Sequence, residues 1–379
     1  MGVSLWNIGW LPPINRKGGE MKPKLLLIAY RAYGDWLYSV PVLPYLFEKY
    51  DVYLECNYKV FSLVYNDPRF KEIKTFIYER IDRNKWKVLF PERWEKRKKE
   101  IKPDKVINLN GSLELTCITE NFQEEFYWPI EDRQRYYKHR SFYEAVFNRC
   151  EVPIPKDLKL DELYYSEEEI RKTEEWRKKK QDKFIIILPI AGSTSQKVVH
   201  KFREWTYTLL DMFKEAEVYL AGDKTCEHLV PTDNPRIKNM CTGLPIKQSF
   251  LMTRYANYVL GPETGVVVSA GMWGTPKTML CTTSSVIQCC KYHKNDYSLQ
   301  APIYCSPCHR AIYNQQDCHN MLTGETGLYY PACTKLFDLN NIIEPITKAY
   351  HRFREMGNFV LPPFQSVPSP KLSKGGGIC

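Results

Sequence analysis

The chain has 379 residues, of which 44% are hydrophobic, and a formal net charge of +10 from 54 Lys and Arg against 44 Asp and Glu. That length suits two domains of ordinary size, and no run approaches the roughly 18 uninterrupted apolar residues of a membrane-spanning helix. A positive balance this dilute suits an anionic partner without selecting nucleic acid, and residues 1–20 lack the charged-then-apolar layout of a signal peptide, so a cytoplasmic location is expected.

In chain order, residues 1–22 form an N-terminal extension and a first αβ half occupies residues 23–165. Residues 24–30 (KLLLIAY) are a buried-strand run that breaks at Arg31-Ala32-Tyr33-Gly34-Asp35, and residues 36–50 carry apolar side chains at helical spacing. Residues 51–55 and 105–109 continue as strands, residues 140–149 as a helix, and Pro153 and Pro155 close the half. The basic run 93–102 (RWEKRKKEIK) alternates with Glu and Trp, which suits a solvated helix face or contact with an acidic membrane surface. Residues 166–183 start on Ser166-Glu167-Glu168-Glu169, a capping-box pattern, and are almost wholly polar inside, which predicts a linking helix.

The second half, residues 184–345, opens with the apolar strand 184–188 (FIIIL), turns through Ala191-Gly192-Ser193-Thr194 and enters a helix over 204–214. A strand at 217–220 ends at Gly222-Asp223. Residues 257–281 (NYVLGPETGVVVSAGMWGTPKTMLC) then read as strand, Gly-Pro-bounded turn, helix of small residues and second strand. Bare amides at the start of that helix suit an anion such as a diphosphate. A C-terminal helix and tail fill 346–379, and residues 362–377, rich in Pro, Ser, Lys and Gly, are expected to be disordered. Nine of the thirteen cysteines are scattered and read as buried small hydrophobes, whereas Cys305, Cys308, Cys318 and Cys333 cluster beside His309 and His319. For that cluster a zinc site, a disulfide or loop role and plain packing all remain open.

Loops at the carboxyl ends of the strands supply the chemistry. Asp35, behind Gly34, can take a proton from a hydroxyl or can cap the following helix. Ser193, Thr194 and the lysines Lys197 and Lys201 can grip a phosphate, the lysine as a point charge. Glu227, just after the strand at 217–220, can hold a ribose diol.

Together these segments resemble glycosyltransferase family nine, the ADP-heptose–lipopolysaccharide heptosyltransferases and their relatives. Four places carry the resemblance: Arg31–Leu37 through Pro41–Leu46; residues 103–113 (PDKVINLNGSL); residues 188–205 with 218–222; and Thr242-Gly243 with residues 255–276. Cys305-Ser306-Pro307-Cys308 with Cys318 and Cys333 is similar to a recurrent feature of many members. The resemblance implies an α/β, GT-B architecture of two Rossmann-like doubly wound domains facing across a cleft, with hinge closure over the donor.

It further implies inverting transfer of a sugar from a nucleotide-diphosphate sugar, ADP-heptose-like, to a hydroxyl of a glycan or lipid-linked acceptor. Asp35 would be the general base. Ser193, Thr194, Lys197 or Lys201, and the amides of Thr264 and Gly265 would meet the donor phosphates. Glu227 would hold the ribose, Thr242, Gly243 and Leu244 would border the base, and Glu263 would face the donor sugar. No cofactor or metal is expected, since no Asp-x-Asp clamp occurs in the chain. Two departures stand out: Glu263 replaces the family's Asp, and Val268 replaces its His, which suggests a changed donor sugar. The alternatives are a degenerate nucleotide-sugar-binding protein, a DNA-modifying sugar transferase and a zinc-dependent enzyme.

Overall fold

The computed structural model describes residues 21–76, 93–109, 128–137, 139–310, 318, 320–323 and 329–356. The N-terminal extension up to residue 20, the end of the 103–113 landmark, His319 and the polar tail lie outside the described residues.

Two parallel sheets organise the chain. The first contains β1 (Lys24–Ala29), β2 (Asp51–Asn57), β3 (Glu72–Phe76) and β4 (Lys105–Asn108) in the order β3-β2-β1-β4. All its pairings are parallel, with Leu25 opposite Val52 on one side and Lys105 on the other. β1 is covered on both faces, and this is why its sequence is a continuous apolar run rather than an alternating one.

The second sheet contains β5 (Phe184–Pro189), β6 (Ala216–Ala221), β7 (Ile237–Met240), β8 (Tyr258–Pro262), β9 (Lys277–Cys281) and β10 (Leu299–Gln300), in the parallel order β10-β9-β8-β5-β6-β7. Strand order reverses between β1 and β4 in the first sheet and between β5 and β8 in the second, the arrangement that opens a crevice at the carboxyl edge of a doubly wound sheet. A short antiparallel pair, β11 (Met321–Thr323) and β12 (Tyr329–Pro331), lies beyond.

The helix expected over 36–50 is in fact broken into three pieces: Tyr33–Leu37, a 3-10 turn at Val40–Val42, and Leu43–Lys49. Pro41 and Pro44 cause the breaks, since each lacks an N–H and disfavours helical geometry in the residue before it. The basic run is not simply solvated. Within helical residues 93–101, the buried Arg97 meets Glu55 (3.3 Å), Glu72 (3.1 Å) and Glu100 (2.7 Å), and Trp94 stacks on Tyr30.

The linking helix is Glu167–Lys178, opened by a complete capping box on Ser166. It is docked, not merely polar: the buried Arg177 donates Nε to the Tyr255 carbonyl at 3.0 Å and Nη2 to Asn257 Oδ1 at 3.2 Å. On the same side, Lys247 Nζ reaches Asn66 Oδ1 at 2.6 Å and Glu169 at 3.2 Å, joining both halves and the linker. The C-terminal helix, Ile343–Met356, packs Ile346 and Phe353 onto the other face of the second sheet with Phe184 and Leu188.

The core between the sheets is shared. Trp36, Leu54, Tyr143 and Phe147 from the first half and Ile187, Phe250, Val267 and Cys289 from the second belong to one continuous buried cluster. At roughly 1.5–3 kcal/mol for each large apolar side chain removed from water, this cluster holds the two carboxyl edges against each other. Among the described residues no helix is long and apolar enough to cross a membrane.

Candidate active site

The two switch-point loops touch. A Cβ added to Gly34 would lie 3.7 Å from the amide nitrogen of Gly265, and one added to Gly265 would lie 2.9 Å from Phe250 Cζ and 3.4 Å from Tyr33 Cβ. Tyr33 and Phe250 pack edge to face at 6.2 Å and sandwich the first turn of the helix Gly265–Trp273. Residue 265 must therefore be bare for the loop after β1 to approach this helix N-terminus.

Asp35 is half-buried inside the first turn of Tyr33–Leu37, whose N-cap is Ala32, so it is not the capping residue. Its backbone carbonyl accepts from Arg31 Nη1 at 3.2 Å and from Ser39 Oγ at 3.1 Å. Arg31 is itself buried, and its own carbonyl accepts from Asn57 Nδ2 at 2.9 Å. The loop carrying Asp35 is thus held from β1, β2 and the start of the next turn.

Across from it, the loop after β5 folds back tightly: Gly192 N donates to the Lys197 carbonyl at 2.6 Å and Lys197 N to the Thr194 carbonyl at 3.0 Å. A Cβ at Gly192 would stand 2.8 Å from Lys197 Cβ and 3.1 Å from Thr264 Cγ2, which seats this loop directly on Thr264. Thr264 occupies the N-cap of Gly265–Trp273 with extended backbone, yet its side chain makes no cap bond. Thr264 Oγ1 and Thr194 Oγ1 are buried with no hydrogen-bond partner among the described residues. The first amides of a helix can receive an anion, and this helix starts at the β5–β8 switch point. Lys197 is 9% exposed within this loop, whereas Lys201 is exposed at the N-cap of the next helix, Phe202–Met212, and Ser193 is exposed at the loop's tip.

Further along the same edge, beyond β6 and β7, Glu227 Oε1 accepts from Thr242 Oγ1 at 2.6 Å and from Asn239 Nδ2 at 3.3 Å. Gly243 follows with φ of 81°, a conformation that favours glycine, and Leu244 is 42% exposed. The structure therefore brings Glu227, Thr242, Gly243 and Leu244 into one surface beside the β5 loop.

Glu263 follows β8 and lies beside the loop after β9. It is buried, and its Oε1 accepts from the backbone amides of Thr282 (2.6 Å), Thr283 (2.8 Å) and Ser284 (3.2 Å). The extra methylene relative to Asp lets the carboxylate reach the loop after β9. Val268 is buried on the helix that follows.

Cys305, Cys308, Cys318 and Cys333 line one cavity with Arg133, Gln196, Thr282 and Arg310. Burial pushes the Cys308 thiol up to about 11 and raises that of Cys333 as well. Among the described residues no three His, Cys, Asp or Glu side chains are grouped to hold a metal ion. His309 beside these cysteines is also buried; burial, then the Arg133 charge, lowers its pKa to about 3.

The sequence reading missed Tyr33 and Phe250, which frame Gly265, and Gln196, whose Nε2 donates to the Arg310 carbonyl at 2.7 Å. It also missed Arg133, which reaches the Cys308 carbonyl from the first half at 2.5 Å. Only for Tyr33 was there a signal, its place in the Gly34-Asp35 loop.

No protein-family model and no curated protein matches the sequence. Solved structures do match the fold. The E. coli ADP-heptose lps heptosyltransferase II superposes with a TM-score of 0.58 at 13% identity, covering 87% of this chain and 99% of that one. The family 9 glycosyl transferase from Veillonella parvula gives 0.60 at 13% identity, covering 88% and 99%. This chain has the fold of these glycosyltransferases. The bacterial iron-containing dodecameric glycosyltransferase from enterotoxigenic E. coli is also similar, with a TM-score of 0.54 at 12% identity, covering 88% of this chain and 77% of that one. The two-sheet GT-B architecture expected from the motifs is the one observed.

Proposed function

We propose that the chain is a glycosyltransferase that moves a sugar from a nucleoside-diphosphate sugar to an acceptor hydroxyl with inversion. One observation supports the reading: the Gly34-Asp35 loop of the first sheet lies against the Gly265 amide of the second, so the loop that carries Asp35 and the start of the helix Gly265–Trp273 meet at one place. In this reading the diphosphate sits on the amides of Thr264 and Gly265, with the hydroxyls of Thr194 and Thr264 and the Lys197 ammonium around it. The nucleoside extends over Glu227, Thr242, Gly243 and Leu244.

Asp35 removes the acceptor proton as the acceptor oxygen forms its bond to the anomeric carbon. The anomeric C–O bond to the diphosphate breaks with its electron pair, and the nucleoside diphosphate leaves. Fixed amide dipoles and one cation stabilise the charge that develops there, so no metal is assigned to the step. The acceptor hydroxyl belongs to a glycan or a lipid-linked saccharide, and an ADP-heptose-like sugar is the donor suggested by the heptosyltransferase whose fold is shared.

The test begins with calorimetric titration of the full chain with ADP, UDP and GDP and with their sugar conjugates, in buffer with and without EDTA. Specific binding of one nucleotide sugar, followed by transfer to an acceptor glycan, is the expected result. Asp35→Asn should abolish turnover and leave the dissociation constant for the nucleotide sugar within about twofold of the wild type. Binding without any turnover in the wild type would leave a nucleotide-sugar-binding protein, and loss of binding in Asp35→Asn would refute the general-base role.

A further inference from the structure

The helix Tyr33–Leu37 stops after five residues, so the Asp35 carbonyl lacks the amide four residues on that a longer helix would give it. Ser39 N donates instead to the Trp36 carbonyl at 2.7 Å. A backbone carbonyl left over in this way needs a substitute donor, and two side chains supply it. Arg31 Nη1 reaches the Asp35 carbonyl at 3.2 Å and Ser39 Oγ at 2.5 Å, while Ser39 Oγ donates to the same carbonyl at 3.1 Å. Arg31 enters from the β1 side of the loop and Ser39 from beyond the helix end, so these bonds close a ring around the turn that contains Asp35. Both side chains are buried, Arg31 at 2% exposure and Ser39 at 0%.

The ring is anchored to the sheet. The Arg31 carbonyl accepts from Asn57 Nδ2 at 2.9 Å, and Asn57, the last residue of β2, also caps the helix Tyr58–Val64 by accepting from Val60 N at 3.0 Å. Keeping a guanidinium out of water costs more than keeping a methyl group or an amide there. What it adds is a rigid fork that loses little freedom for each bond it makes. Contact between Tyr33 and Phe250 sets where the loop rests on the second half, whereas the ring sets the internal shape of the turn and with it the direction in which residue 35 leaves the backbone. A general base must lie within hydrogen-bond reach of the proton it takes, and a misplacement of about 1 Å can lower the rate roughly 100-fold.

Building on the general-base role proposed above for Asp35, we propose that Arg31 is a positioning residue for the transfer. With Ser39, and through the Asp35 carbonyl, it fixes the turn that presents the carboxylate to the acceptor hydroxyl. It acts on the base and not on the donor.

The test compares wild type, Arg31→Met, Ser39→Ala and the double variant, each as the full chain and at a temperature where circular dichroism shows it folded. ADP-heptose, UDP-glucose and GDP-mannose are the donors and a lipopolysaccharide core oligosaccharide is the acceptor. Turnover is read as nucleoside diphosphate released, and donor affinity by calorimetric titration. Arg31→Met should lower kcat at least about thirtyfold and Ser39→Ala about tenfold, with the dissociation constant for the donor within twofold of wild type in both. In the double variant kcat should fall no further than in Arg31→Met, because the two side chains act on one carbonyl.

A kcat within twofold of wild type in folded Arg31→Met would overturn the proposal. Weakening of donor binding as large as the loss in kcat would assign Arg31 to the donor site and overturn it as well, and so would losses that multiply in the double variant. If Arg31→Met does not fold, Ser39→Ala decides: an unchanged kcat there overturns the ring, and a lowered kcat with unchanged donor affinity supports it. A wild type that turns over none of the three donors would sink the transferase reading and the role of Arg31 with it, a result distinct from wild-type turnover that the variants leave untouched.

Discussion

Lys197 and Lys201 are equally good phosphate partners by residue type, and the fold separates them. Lys197 is almost buried in the loop that rests on Thr264, with its backbone locked to Gly192 and Thr194. Lys201 is exposed at a helix start, and its side chain makes no cap hydrogen bond there. A lysine whose stem is already packed costs little ordering on binding a phosphate, whereas an exposed surface lysine must give up its rotamers. Replacing Lys197 by Ala should therefore weaken nucleoside-diphosphate binding at least tenfold, about 1.4 kcal/mol, and Lys201→Ala should change it less than twofold. Isothermal titration of both variants with the best-binding nucleotide checks this, and the reverse order of effects would move the phosphate contact to Lys201. The motif residues alone leave the two lysines equivalent, because what separates them is the packing of one loop on Thr264, a residue of a different strand end.

At the level of elements, the parts legible in the sequence are those whose signal is local. β1, β5 and β8 are buried on both faces and read as apolar runs, whereas β3 (EIKTF) and β7 (IKNM) lie at sheet edges, half covered, and their polar alternation hid them. The capping box at Ser166 was visible, and the helix starts where it predicts. Its Ser166 Oγ accepts from Glu169 N at 3.3 Å and Ser166 N donates to Glu169 Oε2 at 2.7 Å, so Ser166→Ala should lower stability by about 1 kcal/mol in a denaturant titration. What no local pattern shows is that Arg177 of this helix is buried, because its acceptors at Tyr255 and Asn257 come from a distant part of the chain. Arg177→Met should cost more than Ser166→Ala, since it leaves those acceptors buried and unpaired. A smaller loss for Arg177→Met would mean that water reaches the site and that the docking of this helix is looser than its burial indicates.

On the scale of the whole molecule, the continuous core argues against two independently stable halves. The sheets are pinned on both sides of the cleft: Lys247 bridges Asn66 and Glu169 on one, while on the other Tyr143 Oη meets His293 Nε2 at 2.8 Å and Glu144 accepts from Lys291 at 2.5 Å and from Tyr292 at 2.7 Å. Unfolding either half would strip partners from the other, so tryptophan fluorescence and far-ultraviolet circular dichroism should report one coincident transition in urea. The same interface makes that transition depend on pH. His293 is enclosed by Tyr143, Cys290, Lys277, Asp296 and the glycine at 271, where an added Cβ would lie 2.2 Å from its ring. Burial holds its pKa below the ordinary 6.5, so as pH falls through about 6.5 the unfolded chain takes up a proton that the folded chain does not. The contribution of His293 to stability is complete above that pH and is lost as pH falls below it, by at most about 1.4 kcal/mol for each pH unit. His293→Gln should flatten the dependence between pH 6.5 and 5 relative to wild type, as read from urea midpoints at each pH. An unchanged slope would show that His293 is protonated in the folded state, and two separate transitions in the wild type would show that the shared core does not couple the halves.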